Sequence, residues 1–93
     1  MTSVVNLRSG ATYDVYIGRP SKWGNPYVIG KDGTRKQVVE SYRLYVLNTA
    51  LRYSLHELQG KVLGCYCKPL ACHGDVLAEL AEVKHDQVEG VGL

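Results

Sequence analysis

Phenylalanine is absent from this chain of 93 residues, and tryptophan and methionine occur once each. The aromatic surface is therefore carried by seven tyrosines, rings that pack while needing water or a partner for their hydroxyls. That suits a thin core or a polar pocket better than a large oily interior. No apolar run approaches the roughly 20 residues a helical membrane span needs, which excludes that class and any membrane partner it implies. The first ten residues, MTSVVNLRSG, lack a basic flank and an apolar stretch, so the expectation is a cytoplasmic protein with reduced thiols. A strong charge of either sign is also missing. The net charge is +2 and the pI about 8.5, with Lys and Arg spread along the chain, so nucleic-acid binding is weakly supported. Apolar residues make up 45% and charged ones 22%, a globular rather than disordered balance. Without repeats, low-complexity tracts or linkers, residues 1–93 read as one domain.

What is present alternates between strand and helix patterns. Val4 to Leu7 is a short strand closed by Ser9-Gly10. Tyr13 to Arg19 reads as a second, with Val15 and Ile17 alternating against Asp14 and Tyr16. Tyr27 to Gly30 is a third short strand or edge. Thr34-Arg-Lys-Gln37 has the form of a capping box, and apolar residues at helical spacing follow, so a helix spans about 35–47. Leu51, Leu55 and Leu58 continue a 3–4 period toward Gly60, a good helix-stopping residue. Lys61 to Cys67 is a strand. A last helix begins at His73 or Gly74, with Asp75 in its first turn and Val76, Leu77, Leu80 and Ala81 as its buried face. An ordered core of about 4–84 would leave 85–93 as a frayed tail. The expected fold is α/β: a small sheet of about three or four strands with about three helices, and a strand–loop–helix unit at its centre.

All three cysteines fall in that unit, LGCYCKPLACHGD. A Cys65–Cys67 disulfide fits poorly, because residues two apart on a strand are roughly 6.5–7 Å apart with parallel side chains. Zinc is an alternative, with Cys65, Cys67, Cys72 and His73 as ligands of the right type but without two Cys-x2-Cys pairs. Cys65 alternates with Leu63 and reads as core filling. Cys67 ends the strand just before a helix start, where ligands bind in open α/β sheets. A helix start holds anions and lowers a nearby thiol's pKa. Cys67 and His73 are accordingly the candidate reactive pair, with Gly74 and Asp75 offering backbone donors.

A second polar loop, Ile17-Gly-Arg-Pro-Ser-Lys-Trp-Gly-Asn-Pro26, also follows a strand. If that strand is parallel to Lys61–Cys67, both loops face one crevice. Arg19 and Lys22 could then hold phosphate, Trp23 could stack a ring, and Asn25 could read an edge. The alternative is that Trp23 plugs the core and Asn25-Pro26 makes a turn.

YIGRPSKWGNPYVIGKDGTR, the helix after it, and GKVLGCYCKPLACHGDVLAEL together resemble a small uncharacterised family of phage and bacterial proteins, domain of unknown function 4326. The similarity runs from about residue 4 to 82, and relatives often carry Trp where this chain has Tyr66. The resemblance implies shared positions at Asn6, Gly18, Arg19, Lys22 to Pro26, Cys65, Cys67, Pro69 and Cys72 to Asp75, but no established reaction. The Cys…Cys-His ending is also weakly similar to a second α/β family with Cys-His-Arg, where Gly74 here replaces the Arg.

These features lead to the expectation of a crevice for a nucleotide or similar anionic, ring-containing small molecule, with thiol chemistry on it at Cys67 and His73 and no cofactor. Two alternatives keep the same fold. One is a zinc-stabilised structural or interaction module; the other is a phage protein acting on a host protein in the host cytoplasm.

Overall fold

The computed structural model describes residues 1–68 and 70–83; Pro69 and the expected tail 85–93 lie outside the described residues. Three strands form one sheet: β1 (Ser3–Asn6), β2 (Val15–Tyr16) and β3 (Val62–Cys65). The order is β1-β3-β2, so the last strand is central. Both pairings are parallel, with Val4 opposite Leu63 and Asn6 opposite Cys65 on one edge, and Val15 opposite Leu63 on the other. The expected α/β domain with a three-strand sheet is therefore what the chain forms. No helix among the described residues is long and apolar enough to cross a membrane.

The helical elements follow their sequence signals closely. Helix α1 covers Arg35–Leu47, and its Thr34 cap and Gln37 bond each other's backbone as a capping box. Ala50–Leu58 is a 3₁₀ segment that buries Leu55 and Leu58. Helix α2 runs His73–Glu82, packed on the sheet through Val76, Leu77 and Ala81. The α2 face rests on β1 and β3, while α1 and the 3₁₀ segment cover α2.

Three expected strands differ. The one expected over Lys61 to Cys67 runs only Val62–Cys65, so Cys67 lies in the loop beyond the strand end. The second is shorter than 13–19: the ladder reaches Ile17, whose N–H bonds the Gly64 carbonyl, and then turns as Ser21 N–H closes on the Gly18 carbonyl. Tyr27 to Gly30 is no strand but a knot of turns. Lys31 and Asp32 N–H groups close on the Val28 carbonyl, and the Asp32 carboxylate accepts from Val28 N–H at 2.8 Å. A short polar side chain has taken the backbone donor a strand would have offered a neighbour.

The absence of a side chain sets the layer spacing on both faces of the sheet. A Cβ on Gly64 would lie 2.6 Å from Leu7 Cδ2 and 3.0 Å from Tyr13 Cγ. The β1–β2 connection therefore crosses directly over the central strand. A Cβ on Gly74 would lie 2.8 Å from Ile17 Cδ1 and 2.9 Å from Val4 Cγ1, so the start of α2 is pressed onto the other face. At the opposite end of the sheet the buried Thr2 hydroxyl joins three elements. It bonds the Glu82 carboxylate and the Leu58 carbonyl, and accepts from Gly60 N–H at 3.1 Å.

Gly64→Ala is expected to destabilise the fold by about 1–3 kcal/mol despite alanine's better strand propensity, because Leu7 and Tyr13 must shift to make room for the new methyl group. Thr2→Val is expected to cost about 1–3 kcal/mol, since it strands polar groups of Leu58 and Gly60. Denaturant unfolding at pH 7 reads both, and wild-type midpoints would refute these contacts.

Candidate functional site

With all strands parallel, their carboxyl ends share one side of the sheet. A cavity of about 450 Å³ opens there, lined by the loop after β2, the start of α1, Cys65 to Cys67 and Ala71 to His73. Among its walls are Tyr16, Arg19, Tyr27, Arg35, Tyr66 and the three cysteines. Among the described residues no carboxylate lines it.

The β3–α2 loop is held from both neighbours. Asn6, at the end of β1, donates its side-chain amide to the Lys68 carbonyl and, at 3.4 Å, to that of Tyr66. Arg35, in the first turn of α1, donates from Nη1 to the Ala71 carbonyl at 2.9 Å. Within the loop, Leu70 N–H closes on the Cys67 carbonyl at 2.8 Å. These bonds fix the backbone that presents the sulfurs.

Cys65 and Cys72 are buried and Cys67 is half-buried. Their three Sγ atoms lie within 4.8 Å of one another, and those of Cys65 and Cys72 are 3.0 Å apart. Gly74 N–H reaches the Cys72 sulfur at 3.2 Å. The Cys65 thiol is lowered by its bond with Cys72 and by the nearby backbone N–H groups of Cys67 and Lys68, against burial. Cys72 is raised by the same bond and by burial. The pair thus gives up its first proton readily and keeps the second, because two thiolates side by side would repel in a poorly solvated place.

His73 sits under this group. Its Nε2 lies 2.7 Å from the Ile17 carbonyl. A carbonyl only accepts, so Nε2 carries the proton and Nδ1 of the neutral ring holds a lone pair. Burial keeps the imidazole below its ordinary pKa, opposed by the Ile17 bond. Nδ1 lies 3.7 Å from Cys72 Sγ, and the ring packs edge-on against Tyr42 at 5.0 Å.

Several expected site residues are placed otherwise. His73 faces Cys72; a pairing with Cys67 is not found among the described contacts. The helix start offers no open anion cradle at Gly74 and Asp75. Gly74 N–H is taken by the Cys72 sulfur, Asp75 N–H by the Cys72 carbonyl, and the Asp75 carboxylate accepts from Cys72 N–H while pairing with Lys68. Trp23 is 3% exposed, part of the core, and outside the cavity wall. Its carbonyl accepts from the Tyr42 hydroxyl at 2.6 Å. Lys22 turns to Glu57 at 2.9 Å and over the Trp23 ring, away from the crevice. Asn25 does line the cavity, but its side chain donates to the Val38 carbonyl and accepts from Tyr27 N–H. It is a loop staple. Arg19 lines the cavity as expected, braced by the Asn25 and Tyr27 carbonyls. Sequence reasoning missed Tyr16, Tyr27 and Arg35. The available signal was the position of Arg35 directly after its helix cap, on the same side of the sheet as both loops.

The family described as Domain of unknown function (DUF4326) matches residues 5–83. The chain is 35% identical over 85 residues to "Uncharacterized protein R718" of Acanthamoeba polyphaga mimivirus, covering 72% of this chain and 65% of that protein. It is 36% identical over 74 residues to "Uncharacterized 12.4 kDa protein in nrdA-td intergenic region" of Enterobacteria phage T4, covering 73% and 67%. The chain thus spans about two thirds of the length of the curated relatives it matches. No solved structure matches. The sequence match takes in both polar loops, all three strands' pairing positions from Val5 onward and the whole of α2, and it places this chain in the DUF4326 family.

Proposed function

We propose that the crevice binds a nucleotide or a similar anionic, ring-containing small molecule. The observation that carries this reading is the convergence of Arg19 and Arg35 with three tyrosines on one cavity of about 450 Å³. Both guanidinium groups are braced by backbone carbonyls, and those bonds use only part of the donor fork that suits phosphate. A pre-held arginine loses little freedom on binding an anion. The volume falls within the usual range for small-molecule sites, roughly 300–1,000 Å³.

In this reading the two arginines hold the phosphate, and Tyr16, Tyr27 and Tyr66 flank the ring. Trp23 and Lys22 act from behind, by fixing the loop that carries Arg19. Among the described residues no lining carboxylate would repel an anionic ligand.

A calorimetric comparison of nucleoside monophosphates with their nucleosides tests this. The phosphorylated member of at least one pair is expected to bind more than about 10-fold tighter, as one charged hydrogen-bonded contact contributes roughly 1.5–3 kcal/mol. Arg35→Ala is expected to shrink that difference several-fold while the fold is retained, since Arg19 still holds the phosphate. Equal affinities within every pair, or wild-type discrimination in Arg35→Ala, would overturn the proposal.

A further inference from the structure

Side chains from a strand end, a loop and a helix cap bring their Sγ atoms within 4.8 Å of one another, at the wall of the cavity. A tetrahedral zinc with Zn–S bonds near 2.3 Å sets its sulfurs roughly 3.8 Å apart. Cys65 and Cys72, now at 3.0 Å, would have to separate by under about 1 Å to meet that spacing.

The backbone adds to this. The N–H two residues beyond Cys72 points at its sulfur at 3.2 Å. Such a donor caps the helix and also favours sulfur as thiolate, the form that binds metal. The tripod is also rigid, because Asn6 and Arg35 hold the loop carbonyls on either side.

We propose that Cys65, Cys67 and Cys72 bind one zinc-class cation as three thiolates, with the fourth coordination position open to the crevice. His73 is not a member of the sulfur cluster. Its Nε2 is committed to the Ile17 carbonyl, and its Nδ1 stands beside Cys72, where it can accept a hydrogen bond from whatever fills the open position. This differs from a closed four-ligand structural site. Three protein ligands and an exchangeable fourth are the arrangement of reactive zinc centres. The all-sulfur set favours zinc or another soft ion over magnesium or calcium. The inference does not depend on which small molecule the crevice takes.

The test uses the full chain, reduced and stripped of metal, titrated with Co(II) and then Zn(II). Cobalt is expected to saturate at one equivalent, with sulfur-to-metal charge-transfer absorption and the d–d bands of a tetrahedral site. Zinc should displace it. An added small thiol should shift the d–d bands, because it enters the open position. Cys72→Ser is the informative variant: serine is a preferred helix cap, so α2 is retained while the soft ligand is lost. Zinc affinity should fall at least about 100-fold in it, more than loss of an outer partner costs, with an unchanged far-ultraviolet circular dichroism spectrum. His73→Gln should keep one equivalent of cobalt and the full charge-transfer intensity. Absence of charge-transfer absorption at one equivalent would overturn the proposal. So would bands indifferent to added thiol, or a loss of binding in His73→Gln that matches Cys72→Ser.

Discussion

Everything at the crevice depends on β3 being paired in parallel on both edges. The pairing is short, but the bonds flanking it extend its reach. Ser3 N–H meets the Lys61 carbonyl on one side. On the other, Asp14 and Val62 are joined twice, backbone to backbone and through the Asp14 carboxylate. Parallel strands send their carboxyl ends to one side, and a loop leaving any of them must begin there. The same constraint forces the β1–β2 connection across a face of the sheet, which is why Gly64 carries no side chain. The other face is closed by α2, pressed against Ile17 and Val4 at Gly74.

A second theme is that polar side chains here mostly build loops. Asn6, Asn25 and Asp32 satisfy backbone groups that regular structure would otherwise pair, as buried or crowded loop backbone requires. Cys72 does the same with sulfur. It caps α2 by accepting from Gly74 N–H, a task normally given to an oxygen, and so one residue serves both the fold and the thiol cluster. This double use occupies the Gly74 N–H group at the helix start, where an outside anion would otherwise be expected to sit.

The elements were legible where a periodic pattern and a cap coincided, as at Thr34–Gln37 and along α2. They were less so where a local bond diverted the backbone: the Asp32 carboxylate turned the expected strand at Tyr27 into a turn, and the Ser21 N–H bond to the Gly18 carbonyl closed a turn just after β2. The crevice itself was legible only as a condition on strand direction, which no local pattern specifies. Trp23 and Asn25 show why residue type alone misplaces roles. A lone Trp in a turn-rich loop stacks on a ligand or plugs the core, and here the Trp23 ring is buried in the core cluster. The thiols were legible as a cluster but not as three with His73 beside them, because the direction of a histidine ring depends on a distant acceptor, the Ile17 carbonyl.

The most direct test of the account is the direction of strand pairing in solution, read from inter-strand nuclear Overhauser contacts in the labelled full chain. The account predicts parallel patterns on both edges of β3, placing Asn6 beside Cys65 and Tyr16 beside Gly64. Short Hα–Hα contacts between β2 and β3, the mark of an antiparallel pair, would send the Arg19 loop to the opposite end of the sheet and dismantle the crevice.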